Sequence, residues 1–394
     1  MAKRRIITCV LLITTLLLGG MAQAQQAADT SSLIVGGAQG YGNYLDTDLY
    51  RLDPATNQLV ALTHDGYKSS YALSPDGTKI AYLIAPAVAR AESANGNPDL
   101  IGVVWDIEVY EIASGQRTRI AAQPDDAKVT AGQISDGRAR SAPVWSPDSS
   151  ALAWTEQDDP ASGSPSLMIY SFADGKTAAL DDSLPEMPQS ASGFPTNLAW
   201  GQSGIAVFTN DPASDGTLTG SIRLYDPQNG LLHTYPVNTV LDDNQIAAPP
   251  RDGPFWLQDQ SDELLLIELA NGRWYGVNLT SGSVDAFEHN IELVSAANPD
   301  SSLKAEGAQG DSAVLAWSLP DFNGADCDQV AMDPAGDALA CWSDASDSLS
   351  IWQDGAQRSL DSAGLTQNIS LMWGAIQWRV HRDLLDATDD SAAP

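Results

Sequence analysis

At 394 residues the chain is longer than one simple core supports, yet no composition break, long linker or coiled-coil run divides it. That combination points to an array of repeated units rather than to a stack of unrelated domains. With 51 acidic residues against 20 basic ones and a formal charge of −31, nucleic acid and anionic membranes are excluded as natural partners of its surface.

The first residues read as a secretory signal. Lys3, Arg4 and Arg5 form a charged start, Ile6 to Leu18 an apolar run, and Ala22-Gln23-Ala24 a cleavage site of the A-x-A kind. The run is too short to span a bilayer comfortably, and no second apolar stretch follows; an uncleaved N-terminal anchor is the alternative. Residues 1–24 are therefore expected to be removed near Ala24, leaving a short segment over 25–32 and a mature protein that is secreted or periplasmic. Loss of three basic residues and no acid takes the formal charge from −31 to −34. Of the acids, 41 are Asp and 10 are Glu, a bias toward turns and caps over helix faces.

From about Leu33 two kinds of hairpin alternate. The first begins at Asp48: Leu49-Tyr50-Arg51-Leu52 is a strand, Asp53-Pro54-Ala55-Thr56-Asn57 a turn, and Gln58 to Thr63 a second strand. The second kind is clearest over Tyr71 to Ile84, where Ser74-Pro75-Asp76-Gly77 supplies a preset proline φ, a self-bonding Asp and a Gly free to adopt positive φ. With Gly77 as a bulge residue after a three-residue turn, Ala72 is expected opposite Ile80. The first kind returns over Asp106 to Ile120, Ser166 to Leu180, Ser221 to Val237, Arg273 to Phe287 and Leu349 to Leu360. The second returns over Pro143 to Glu156, with Val144 opposite Leu152 and Ala142 opposite Trp154, then loosely over Asn197 to Asn210 and Phe255 to Leu269. Val294 to Gly307 is its weakest copy, and Asp328 to Asp344 is again clear.

One hairpin of each kind makes a four-stranded antiparallel sheet, so the expected fold class is all-β: a β-propeller of four-stranded antiparallel blades over residues 33–382. Seven blades are counted, or six if the Val294 copy merges with a neighbour. One blade is expected to combine both ends of the chain, Asp48 to Thr63 supplying its outer hairpin and Ile369 to Trp373 with Ala375 to Val380 its inner one; this closes the ring. Residues 383–394 read as an acidic disordered tail. Three stretches interrupt the pattern: Ala85 to Val104, Ala121 to Ser141 and Asp181 to Pro195. Long loops on a repeat scaffold are where binding residues concentrate.

Ser74-Pro75-Asp76-Gly77 followed by Ile80-Ala81-Tyr82, Trp145-Ser146-Pro147-Asp148 followed by Leu152-Ala153-Trp154, and the hairpin ending Leu62-Thr63 together resemble the TolB-like and WD-repeat-like β-propellers. That resemblance implies a propeller that serves as a protein-binding platform in the cell envelope. In related proteins the propeller is also fused to an α/β-hydrolase of the prolyl-peptidase type, and no such domain follows here.

Catalytic patterns are sparse. The chain has no G-x-S-x-G nucleophile elbow, its four histidines (His64, His233, His289 and His381) are widely separated, and no zinc spacing occurs. No catalytic residue and no organic cofactor is assigned. Oxygen ligands for calcium are more plentiful: Asp46 and Asp48 stand two apart, and Asn95, Asn97 and Asp99 form a ladder in an insertion, with turn capping as the ordinary explanation of both. After cleavage two cysteines remain, Cys327 and Cys341, in a compartment that permits disulfides. They bracket the turn around Pro334, with Cys341 expected opposite Gln329, a geometry compatible with either a bridge or two buried thiols. Most of the 11 tryptophans lie in strand patterns, where inter-blade packing is their default role. The expected function is binding of a protein or peptide partner. A calcium-dependent hydrolase or lyase, and a carbohydrate-binding propeller using rim aromatics, are the alternatives.

Overall fold

The computed structural model describes residues 33–39, 47–53, 56–94, 104–158 apart from 126, 131–132 and 136, 164–185, 198–212, 218–236, 250–258, 263–269, 274–287 apart from 280, 304–308, 311–316, 327–333, 338–353, 356–373 and 378–379. The leader, the acidic tail, Asp46, Asn95, Asn97 and Asp99 lie outside the described residues.

Six antiparallel sheets of four or five strands follow one another along the chain. The first joins Leu365–Met372, Ile34–Gln39, Thr47–Asp53 and Gln58–Ala61. The second is the meander Lys68–Leu73, Lys79–Ile84, Asp106–Glu111 and Arg117–Ala121. In the third, Ala139–Arg140 and Val144–Trp145 share one edge of Ala151–Gln157, followed by Ser166–Ser171 and Lys176–Asp181. The fourth runs from Leu198–Gly201 to Gly230–Pro236 and the fifth from Pro250–Gln258 to Val284–Phe287. A separate hairpin of Lys304–Ala308 with Asp311–Ala316 precedes the last sheet, which holds Gln329–Met332, Ala338–Ser343, Ser348–Gln353 and Ala356–Leu360.

What holds these sheets together is burial of their facing surfaces against one another, on both faces for the first four. Tyr71, Leu73, Ile80 and Tyr82 of the second sheet pack on Ile34, Leu49 and Met372 of the first. Its opposite face, Ala81 and Val109, packs on Trp145 and Leu152 of the third. The third meets the fourth through Ala153, Leu167, Ile205 and Val207, and the fourth meets the fifth through Phe208, Ile222, Leu265 and Val277. Trp342 and Ile351 of the last sheet pack on Val35 and Leu371 of the first. Successive four-stranded meanders stacked face to face make the β-propeller architecture.

Turn chemistry sets the registration of these faces. The fully buried Ser74 donates its backbone N–H to Lys79 O (2.8 Å), and its hydroxyl accepts from the N–H groups of Thr78 (3.2 Å) and Lys79 (2.9 Å). The same hydroxyl donates to Asp76 Oδ1 (2.6 Å), which also takes the Thr78 N–H (3.0 Å) and hydroxyl (2.8 Å). Ser146 repeats the bond to Asp148 (2.7 Å) and takes the Ala151 N–H (2.9 Å). In the third copy Asp333 stands in for the serine, accepting from the Ala338 N–H (2.7 Å).

Because the first turn residue pairs five positions ahead, the loop is one residue longer than the expected bulged turn. Leu73 therefore faces Ile80 and Ala72 faces Ala81; Val144 faces Ala153, Trp145 faces Leu152, and Cys341 faces Val330 in place of Gln329. Since side chains alternate between faces, this one-step shift decides which neighbour each residue meets.

The two ends of the described chain meet in the first sheet, with Ile34 opposite Met372 and Val35 opposite Leu371. The strand Ile34–Gln39 takes the place expected for a second C-terminal strand, so the sheet combines one C-terminal strand with three N-terminal ones. Trp378–Arg379 pairs instead with Gln329–Met332 of the last sheet. The fit in the first sheet is close enough that a Cβ on Gly36 would run into the ring of Tyr71. Cys327 and Cys341, whose Cα atoms are 5.4 Å apart, are joined in a disulfide within the last sheet.

The turns can be tested at two positions. Gly77 has φ of +68° and a Cβ there would meet nothing within 4 Å, so Gly77→Val should cost about 1–2 kcal/mol through backbone strain alone; thermal melting checks it, and an unchanged curve would contradict the left-handed assignment. Hydrogen bonds from Ser146 and Ser150 hold the Asp148 carboxyl below its ordinary value. At Asp76 burial acts upward, but the bonds from Ser74 and Thr78 outweigh it and the carboxyl again lies low. A lowered folded-state value contributes stability above the ordinary carboxylate range of about 4, lost as pH falls through the lowered values. Asp148→Asn should accordingly flatten the acid limb of melting temperature against pH.

Candidate functional site

Strand direction sets the end of its sheet from which each interruption of the repeat leaves. The chain runs through Lys68–Leu73 toward the Ser74 turn and returns through Lys79–Ile84, so residues 85–105 leave from the end opposite that turn. By the same alternation the stretch after Arg117–Ala121 and the stretch after Lys176–Asp181 leave from that same end of their sheets. The three interruptions of the repeat thus rise from one end of the second and third sheets. The first begins with the only helix among the described residues, Ala87–Ala94, and the second includes the short hairpin Lys128–Thr130 with Gln133–Ser135.

At that end of the sheets lies an ion-pair network. Lys68 is fully buried, and its Nζ donates to Asp65 (2.6 Å), Asp48 (3.0 Å) and the carbonyl of Gly66 (2.9 Å). Three acceptors on an ammonium satisfy its three donors, which is what makes its burial tolerable. Thr63 donates to Asp48 (2.6 Å) and accepts from the Leu49 N–H (2.9 Å), while Arg117 adds a bond to Asp65 (2.7 Å). Burial acts upward on the Asp65 carboxyl, but Lys68 and Arg117 outweigh it and leave it below its ordinary value.

Arg140, 1% exposed in its side chain, has the corresponding role in the next sheet. Its guanidinium binds Glu156 (2.5 Å), the carbonyl of Trp105 (2.8 Å) and the carbonyl of Ala122 (2.9 Å), with Asp106 3.8 Å away. Trp105 closes the first long loop and Ala122 opens the second, so one fixed cation ties the bases of both to the third sheet. Gln123 completes the junction: its N–H binds Asp106 (2.7 Å), its side-chain amide donates to the carbonyls of Trp105 (2.9 Å) and Arg138 (3.0 Å), and its Oε1 accepts from the Arg138 N–H (2.6 Å). Arg119 bridges Asp106 and Glu108, and Tyr82 donates to Glu108 (2.5 Å). Burial, then the neighbouring Glu108, pushes the Tyr82 hydroxyl well above its ordinary value. At the margin Arg138 joins Glu156 (2.8 Å) to the exposed Asp158 (2.9 Å).

This arrangement positions; it presents no nucleophile with a base. Every carboxylate in it is engaged by a cation or a donor. Asp48, one of the sequence-derived calcium candidates, is occupied by Lys68, Thr63 and the Gly66 N–H. Among the described residues no group of three His, Cys, Asp or Glu side chains is placed to hold a metal ion. Of the two described histidines, His64 follows the first sheet and His233 lies tilted against Tyr235 on the outer strand of the fourth (centroids 4.3 Å apart, planes at 57°). Nothing in the motifs of the sequence singles out the ties made by Lys68 and Arg140. Their signal is positional: each stands six residues before a turn serine, Ser74 or Ser146, in a chain with only 20 basic residues.

No known family model matches the chain, and no curated protein matches it. Solved structures do. TolB from Acinetobacter baumannii is similar over 87% of this chain and 67% of its own, at 14% identity and a TM-score of 0.39. An oligogalacturonate lyase in complex with manganese is similar over 84% of this chain and 74% of its own, at 14% identity and a TM-score of 0.41. The β-propeller domain of the Trilobed protease from Pyrococcus furiosus covers 80% of this chain with 82% of its own, at 10% identity and a TM-score of 0.34.

Removing one partner of a buried ion pair leaves the other uncompensated, so Arg140→Met should destabilise the protein by about 3–5 kcal/mol. Chemical denaturation gives the magnitude, and amide exchange should show the largest increase at residues 104–107 and 121–123. A uniform increase over all sheets would contradict the assigned tie.

Proposed function

We propose that the protein is an extracytoplasmic β-propeller that binds a protein or peptide partner through the end of the sheets bearing its three long loops. The observation that supports this reading is that those three interruptions leave from the same end of the second and third sheets, where an ion-pair network anchors Trp105, Ala122 and Gln123, a fixed base of the kind binding proteins use.

The remaining architecture belongs to the same proposal. Seven blades, counting one around the Lys304–Ala308 hairpin, form a ring over residues 33–382 that the pairing of Ile34–Gln39 with Leu365–Met372 closes; merging that hairpin with a neighbour gives six. Residues 1–24 act as an export signal removed near Ala24, and 383–394 as an acidic tail. The Cys327–Cys341 bridge fits an oxidising compartment. Among the described residues no helix is long and apolar enough to cross a membrane.

Crosslinking in the native envelope, followed by mass spectrometry of the adducts, tests the reading. Adducts should map to residues 85–104, 122–138 or 182–195 and disappear when those loops are shortened in a variant that melts normally. Adducts confined to the opposite end, around Ser74–Gly77 and Ser146–Ser149, would overturn it.

A further inference from the structure

The turn before the outermost strand is built alike in the second to fifth sheets, with one chemical difference. A left-handed glycine ends it each time: Gly115 (φ +70°), Gly175 (φ +65°), Gly230 (φ +81°) and Gly282 (φ +73°). The residue before that glycine is Ser114, Asp174, Asn229 and Ser281 in turn. Of these four turns the fourth sheet's alone sets an asparagine against the glycine, and Asn229 is exposed. A Cβ on Gly230 would meet nothing within 4 Å, so the space around this junction is open.

An asparagine followed by glycine is reactive toward its own backbone. The Gly230 nitrogen attacks Asn229 Cγ, and the new C–N bond closes a succinimide. The Cγ–Nδ2 bond breaks, and the amide nitrogen leaves as ammonia with the proton given up by the Gly230 N–H. Water then opens the ring at either carbonyl. One opening yields aspartate; the other yields isoaspartate, in which the main chain runs through the side-chain carbon. Glycine favours the closure because no Cβ shields its nitrogen and its backbone adopts the required turn without steric cost.

Asp226 opposes it. Its Oδ1 accepts from the N–H groups of Gln228 (2.8 Å) and Asn229 (2.7 Å) and from Asn229 Nδ2 (2.9 Å). Gly230 itself is paired with Asp226 across the hairpin. Ring closure requires the Asn229 side chain to leave Asp226 and the Gly230 nitrogen to leave that pairing, so it proceeds through local opening of the turn.

We propose that Asn229–Gly230 is a site of spontaneous covalent modification, deamidation through a succinimide, whose rate Asp226 sets by holding the turn closed. The two products differ in consequence. Asp174 before Gly175 shows that this turn accommodates aspartate. Isoaspartate lengthens the main chain by one carbon immediately ahead of Gly230–Pro236, where Leu224 faces His233 and Ile222 faces Tyr235, and so displaces the outermost strand against its neighbour. The site uses none of the residues of the partner-binding proposal, and failure of either leaves the other standing.

Incubation of the full mature protein in mildly alkaline buffer, with peptide mapping over time, tests this. The amide of Asn229 should convert to acid, with aspartate and isoaspartate both appearing. Asp226→Ala should speed conversion about tenfold, the effect of weakening the closed turn by about one net hydrogen bond. Should that variant melt early, urea below the unfolding transition should speed conversion of the unaltered protein in the same way. Gly230→Ala should slow it, and Asn229→Gln, whose longer side chain closes less readily, should be inert. Amide exchange over residues 230–236 should rise in the isoaspartate fraction and stay unchanged in Asn229→Asp. Persistence of the Asn229 amide, conversion indifferent to both Asp226→Ala and urea, or an isoaspartate fraction with unaltered exchange would each overturn the proposal.

Discussion

The structure depends on a constraint at the first residue of the inner turn. A buried side-chain oxygen there, from Ser74, Ser146 or Asp333, accepts the backbone N–H five residues on and fixes a four-residue loop. Side chains alternate along a strand, so the loop length decides whether Ala81 or Ile80 faces the next sheet. Both faces of the second and third sheets are buried, and a slip of one residue would exchange the small face for the bulky one and mismatch both neighbours at once. The two turns also touch each other: the Asp76 N–H donates to Ser149 Oγ (3.0 Å), and Trp145 Nε1 reaches the Ala72 carbonyl (2.9 Å), so the register of one sheet is checked against the next.

Six residues before that turn lies the second organising position. Lys68 and Arg140 occupy it in the second and third sheets and reach back to Asp48 and Asp106, each in the strand third from the inner edge of the preceding sheet. In the last sheet the same position is Cys327, whose bond runs to Cys341 within its own sheet. Two copies thus use a buried cation to join neighbours, while the third uses a covalent bond to join its own first two strands.

The sequence makes the repeat legible because turn chemistry is local. Proline, Asp and a left-handed residue within four positions announce Ser74–Gly77 and Ser146–Ser149 without reference to the rest of the fold, and Ser149 adopts φ of +61° where the first copy has Gly77. The register itself was not legible. It turns on whether the serine hydroxyl captures one N–H further along, an outcome that depends on Ser74 being buried. The pairing of the chain ends was legible as a shortage of strands at each end, but which strand fills which slot was decided by packing, Trp373 and Leu371 joining the same core as Val35. The ion-pair network was invisible for a different reason: Lys68, Asp48, Arg117 and Asp65 are scattered over about seventy positions, and nothing in local composition marks two of them as fully or largely buried.

The network also changes how the composition bears on binding. Lys68, Arg90, Arg117, Arg119, Arg138 and Arg140 are six of the 20 basic residues, and all six are paired with carboxylates at one end of the first three sheets. Lys68 and Arg140 are enclosed, where the effective dielectric is low and partners are close, while the other four lie partly exposed at the margin. Only 14 basic residues remain for the rest of the chain, three of them in the leader, against 45 acids outside the six in the network. Pairing does not alter the net charge of −31, so the whole excess of acids lies outside the network, and its field falls off within about 8–10 Å at physiological salt. A surface of that sign disfavours a polyanion, while Lys68 and Arg140, enclosed by the sheets, keep their charge for the scaffold.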